Sequence, residues 1–136
     1  MSQESRWQLR FQSFSRAQAT FARILATTEE QQADEIPQMA LIQAFEFTYE
    51  LAWKMLKDYL ESEGLLQVAT PKEVIRTAFQ AGVLNDGEKW MEAIAKRNLA
   101  SHAYSQEVLN ETVDYIRNEF APLAQQLHQE FEARLE

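Results

Sequence analysis

Between Met39 and Glu61 the apolar residues Leu41, Phe45, Ala52, Met55, Leu56 and Tyr59 share one side of a helix of regular period. Ile42, Tyr49, Trp53 and Leu60 widen that side to about 160°, taking about 100° per residue. A single neighbouring helix cannot cover so broad a face. The segment is therefore expected either at the centre of a helical bundle or also against a second subunit. The opposite side carries Glu46, Glu50, Lys54 and Lys57 and is read as solvated, with Glu50 and Lys54 a favourable i, i+4 pair and a functional role for Glu46 or Glu50 the alternative.

The other segments repeat the theme. Trp7, Phe11, Phe14, Phe21 and Leu25 form a heptad-like stripe that predicts a first helix from about Glu4 to Thr28. The polar run Glu29 to Glu35 is expected to be a loop, and Pro37 suits the first turn of the second helix, where no N–H is required. Gly64 is a plausible stop. Thr70-Pro71-Lys72-Glu73 then reads as a capping box opening a short third helix to about Ala81.

Gly82 ends that helix, and Asn85-Asp86 offers an N-cap for a fourth, from about Gly87 to Ala103. Val113, Ile116, Phe120, Leu123, Leu127 and Phe131 line a fifth helix from Gln106 to near Leu135. Pro122 lies inside it, so the bond to the Asn118 carbonyl is lost and a kink is expected. No stretch alternates with period two long enough for a strand, and no internal repeat is visible. With three glycines and three prolines in 136 residues, the expectation is a single all-α domain over 1–136, an up-down antiparallel bundle of four to five helices.

Composition narrows the function. A formal net charge of −8 argues against gripping nucleic acid over a broad surface, because Lys and Arg neutralising phosphates supply most of that affinity. Any nucleic-acid role must be local. The absence of cysteine excludes thiolate catalysis, disulfides and cysteine-bound metal clusters. No apolar run is long enough for a membrane span and Met1 to Arg10 lacks a signal-peptide pattern, so the cytoplasm is the expected compartment.

Glycine-rich phosphate loops and nucleophile elbows are missing as well. A di-iron helix needs Glu three residues before His, but Leu99 and Gln125 occupy those places before His102 and His128. Neither a metal nor another cofactor is expected, and His128 is read as an ordinary surface residue.

One stretch departs from the apolar theme. Trp90, Ile94, Arg97, Asn98 and Ser101 share a helix face that begins apolar and ends polar. Arg97 and Tyr104 lie about 20° apart on an ideal helix, and Asn98 and His102 share the adjoining face. Arginine suits phosphate oxygens, histidine titrates near neutral pH, and asparagine both donates and accepts. Those groups can build a metal-free phosphodiester cleavage site, with His102 as general base or acid and Arg97 stabilising charge on phosphorus. They equally fit a helix that ends near Asn98, whose polar residues cap the last carbonyls and face water.

The string Arg97-Asn-Leu-Ala-Ser-His102-Ala-Tyr104 resembles the Arg-x4-His-x-Tyr motif of the HEPN superfamily, in the branch of HepT-like toxins and nucleotidyltransferase substrate-binding proteins. FEFTYELAWKMLKDYL (45–60), PKEVIRTAFQAG (71–82) and DGEKW (86–90) are similar to the substrate-binding branch, so the resemblance covers nearly the whole chain. It implies a helical bundle, a homodimer with the motif near its interface, and a minimal nucleotidyltransferase as partner.

Two functions follow from the resemblance. In one, the chain is the toxin of a toxin-antitoxin pair, a metal-independent endoribonuclease with Arg97, Asn98 and His102 catalytic. Its partner would silence it by transferring AMP to Tyr104. In the other it is a non-catalytic substrate-binding subunit of a two-component nucleotidyltransferase. Arg97, Asn98, His102 and Tyr104 all stand in the register of the motif.

Overall fold

The computed structural model describes residues 5–31, 35–65, 70–101 and 105–135. The elements are α1 (Arg6–Gln31), α2 (Glu35–Ser62), α3 (Pro71–Gln80), α4 (Gly87–Ala100), α5 (Gln106–Tyr115), a π-helical turn (Ile116–Phe120) and α6 (Ala121–Ala133). Among the described residues every regular element is helical, giving the expected all-α bundle.

Contacts fix the helix directions. Thr28 Oγ1 donates to the Pro37 carbonyl (3.4 Å), Thr48 Oγ1 to the Ala17 carbonyl (3.5 Å), and Arg10 Nε to Asp58 Oδ2 (3.1 Å). Positions rise along α1 as they fall along α2, so the two are antiparallel. Likewise Trp7 meets Phe131, Ser15 meets His128 and Phe21 meets Phe120, which sets α1 against the π turn and α6. Trp90 on Phe120 and Lys96 over Tyr115 set α4 antiparallel to the chain through α5 and the π turn. The long elements run up-down-up-down, and α3 is a short element between the second and third.

The breadth of the α2 stripe has its reason here, since α2 touches α1, α3, α4, α5 and α6. It is the central helix. Leu41, Phe45, Tyr49, Ala52, Met55, Leu56 and Leu60 on it are all buried. The core is rich in edge-on aromatic pairs. The Phe120 ring meets Phe45 at 4.6 Å, Phe21 at 5.6 Å and Trp90 at 6.0 Å, tying the last helical stretch to three others. Trp7, Tyr59 and Phe131 close a second such triangle at the other end.

Several boundaries differ from expectation. α1 continues to Gln31 and α2 starts at Glu35, so all of the described part of the polar run 29–35 is helix rather than loop. Charged residues tolerate helix well, and only apolar periodicity had marked the ends. Thr70 Oγ1 accepts from the Glu73 N–H at 3.3 Å, while the Glu73 carboxylate bonds Arg76 at 2.6 Å, so the box is made on the threonine side. Gly64 and Gly82 end their helices at φ 70° and 75°, the left-handed conformation that glycine adopts without strain.

α4 runs only to Ala100, where the Ser101 hydroxyl turns back to the Asn98 carbonyl at 2.8 Å. Residues 102 and 103, the end of the expected helix, lie outside the described residues. The missing bond at Pro122 falls beside a wide turn, in which the Ala121 N–H donates to the Ile116 carbonyl five residues back. The π turn makes room for the proline ring and continues the helical path.

Two surface readings need correction. Glu46, Glu50, Lys54 and Lys57 are each half-buried rather than fully solvated, because α2 is wrapped on so many sides. His128 is half-buried also; its imidazole stacks on Phe11 at 5.0 Å and Nε2 lies 2.9 Å from Ser15 Oγ. Neither ring atom was distinguishable from a surface histidine without knowing that α6 packs on α1.

Candidate functional site

The polar end of α4 opens on a cavity of about 540 Å3. Three stretches wall it. α2 supplies Tyr49 and Glu50, the entry to α3 supplies Thr70, Pro71 and Lys72, and α4 supplies Ile94, Arg97 and Asn98. Trp90 and Ile94 anchor α4 in the core, and a turn later the same face surfaces, leaving Arg97 half-buried and Asn98 exposed. The stripe that begins apolar therefore does run into a polar hollow.

Arg97 and Asn98 meet there as the spacing predicts. Ser101 does not join them; its hydroxyl caps the Asn98 carbonyl, as the helix-end reading proposes. His102 and Tyr104 lie outside the described residues. Tyr49, Thr70 and Lys72 were not anticipated as site residues, and Glu50 only as the alternative to a solvated surface. No spacing in the chain links positions 49, 72 and 97, and only the packing of α3 and α4 on α2 joins them.

The electrostatics favour an anion on one side of the hollow. Lys72 and Arg97 have no acidic partner among the described residues. Glu50 Oε1 is 3.8 Å from Lys54 Nζ, beyond hydrogen-bond distance, so the carboxylate keeps its accepting capacity. Burial pushes the Tyr49 hydroxyl up to about 12, reinforced by Glu50 and opposed by Arg97. Tyr49 is thus a neutral donor at physiological pH. Tyr115, under the Lys96 ammonium at 5.6 Å, is raised further, by burial first and then by Glu92 and Glu119.

Elsewhere, Ser15 and His128 border a second hollow of about 490 Å3. Both lie in helix interiors, where backbone N–H groups are already bonded, so the backbone beside the serine offers no free donor to an oxyanion. The described residues hold no group of three or more His, Asp or Glu that could bind a metal. None of the described helices is long and apolar enough to cross a membrane.

A broad apolar groove of about 550 Å3 runs between α1 and α2, lined by Ile24, Met39, Ala44, Phe47 and Leu51, with Arg16 at its side. Phe47 and Met39 are 60% and 57% exposed, more than a solvated surface usually asks of such side chains.

Residues 9–133 match the family described as nucleotidyltransferase substrate binding protein like, and the chain belongs to that family. Over 70 residues it is 37% identical to a Haemophilus influenzae protein named probable ribonuclease HepT, covering 48% of each chain. The chain thus matches about half the length of that curated relative. A solved Haemophilus influenzae structure, described as the fold of a substrate binding domain of a nucleotidyltransferase, superposes with a TM-score of 0.80. It is 23% identical, with 90% of this chain and 98% of that one covered, and shares the fold. A Thermus thermophilus structure superposes with a TM-score of 0.64 at 29% identity, covering 85% and 98%.

Proposed function

We propose that this protein, as a single domain, is the toxin partner of a minimal nucleotidyltransferase and cleaves RNA without a metal. The observation that carries the reading is a half-buried Arg97, without an acidic partner among the described residues, beside Asn98 at an open cavity of an otherwise acidic protein. The relative named a probable ribonuclease supports it.

In this reading the ribose 2′-oxygen attacks phosphorus and the bond to the 5′-oxygen breaks, leaving a cyclic phosphate and a 5′-hydroxyl. His102 accepts the 2′-proton or delivers one to the leaving oxygen. Arg97 and the Asn98 amide hold the phosphate oxygens as charge grows on them. The nucleotidyltransferase silences the site by transferring AMP to Tyr104. Two copies pair to form the working unit in the cytoplasm, and the exposed Phe47 and Met39 supply apolar area for a protein contact. Incubating the purified chain with tRNA or mRNA in EDTA tests the reading. Cleavage lost in Arg97→Ala and His102→Ala is expected, and cleavage indifferent to both sinks it.

The net charge of −8 and the α1–α2 groove favour a second reading, a substrate-binding subunit with no chemistry of its own. Co-purification with a nucleotidyltransferase together with inert behaviour toward RNA would select it.

A further inference from the structure

The cavity has walls of opposite sign. α2 contributes the Glu50 carboxylate, while the entry to α3 and the end of α4 contribute Lys72 and Arg97. A bare phosphate would meet the charge of Glu50, and a bare cation would meet two cations. The combination suits a ligand that is anionic at one end and presents N–H donors at the other. Half-buried Pro71 adds apolar surface on the wall, with the buried Tyr49 and Ile94 behind it. At about 540 Å3 the hollow falls in the range of small-molecule sites and has room for a nucleotide.

Glu50 decides which base fits. Neither of its oxygens has a hydrogen-bond donor among the described residues, and Lys54 stands at 3.8 Å. Two carboxylate oxygens that accept no hydrogen bond from the described residues, one of them 3.8 Å from the Lys54 ammonium, match two adjacent N–H donors. On its Watson–Crick edge guanine alone among the RNA bases has them, N1–H beside the N2 amino group. Adenine and cytosine set a ring-nitrogen lone pair next to their amino group, and uracil flanks one N–H with two carbonyls. Each would turn a lone pair toward the carboxylate.

We propose that this cavity is a guanine-selective nucleotide subsite, with Glu50 on the Watson–Crick edge of the base and Lys72 and Arg97 on the phosphate. The inference rests on the proposed reading of the cavity as an RNA site and adds the base that it selects. It does not require that cleavage occurs.

Isothermal titration of the purified full chain with 3′-GMP, 3′-AMP, 3′-CMP and 3′-UMP tests it. GMP should bind about 10-fold tighter than the others, and Glu50→Gln should remove about that factor for GMP while changing AMP less than about twofold. Lys72→Ala should weaken all four alike. Equal affinities, no measurable binding of any, or a preference that survives Glu50→Gln overturns the proposal. If the variant fails to fold, the wild-type comparison of the four nucleotides still decides. Mapping cuts on mixed-sequence RNA separates this idea from the nuclease reading. Arg97-dependent cuts beside every base would keep the nuclease and reject the selectivity, and GMP selectivity with no cuts would do the reverse.

Discussion

Arg10 Nε lies 3.1 Å from Asp58 Oδ2, joining α1 to a carboxylate whose side chain is 1% exposed on the central helix. Lys57 Nζ is its other cation, at 4.0 Å. Removing Arg10 leaves a buried charge with one distant partner. Arg10→Ala should destabilise by about 2–3 kcal/mol in urea unfolding, below the full cost of a buried pair because Arg10 is itself 36% exposed. Asp58→Asn in the same background should recover part of that loss. A change under about 0.5 kcal/mol would mean that the pair behaves as a surface contact.

Phe120 is fully buried and its ring touches Phe21, Phe45 and Trp90. Phe120→Ala should cost about 3–5 kcal/mol, the range for deleting an aromatic ring from a packed core. Thermal melts should show a large drop in midpoint, with Phe120→Leu intermediate. Equal midpoints for wild type and alanine would contradict the packing described.

The Tyr49 hydroxyl gives an alkaline signature. Its folded value, about 12, lies above the ordinary 10 of an unfolded tyrosine. Between those values the unfolded chain releases a proton that the folded chain keeps, so unfolding becomes easier as pH rises. The contribution is fully present below pH 10 and is lost on the way to pH 12, a change of order 2 kcal/mol. Urea unfolding at pH 9, 10 and 11 should show Tyr49→Phe losing stability less steeply than wild type. Parallel curves would show that the hydroxyl titrates normally.

For the proposed nuclease, Arg97→Ala should lower the rate about 100- to 1,000-fold, the loss seen when one stabilising donor is removed from a charged transition state. His128→Ala, on α6 and lining the other hollow, should leave the rate within about twofold per folded molecule while lowering the melting midpoint through the lost Ser15 and Phe11 contacts. Gel assays with end-labelled RNA separate the two. Loss of cutting in His128→Ala would move the chemistry to the other hollow.

Intact-mass measurement after incubation with ATP and the partner nucleotidyltransferase should show one added AMP per chain, absent in Tyr104→Phe. An unchanged wild-type mass would remove that mode of silencing.

Periodicity made the helices legible because each long element buries one side, and the breadth of the α2 stripe anticipated the most heavily contacted helix. Ends were less legible. Glu29 and Glu30 carry no apolar period, yet α1 continues through them, and the π turn before Pro122 reflects local backbone accommodation that no pattern of side chains announces. At the site, Arg97 and Asn98 were visible as polar residues ending an apolar face. Glu50 was visible only as an alternative, because a carboxylate four residues before a lysine is the commonest sign of an ordinary exposed helix surface. Lys72 looked like part of a capping sequence. Its place beside Arg97 depends on how α3 leans on α2, a relation between segments distant in the chain.

Helix α2 borders the apolar groove and the charged cavity, with Phe47 and Leu51 on the first and Tyr49 and Glu50 on the second. Phe47 and Glu50 are three residues apart and so are neighbours along the helix surface. Whatever body sits over the aromatic ring would stand at the doorway of the charged chamber. In the proposed RNA site, the length of strand admitted would then be governed from outside the molecule as much as by its own walls.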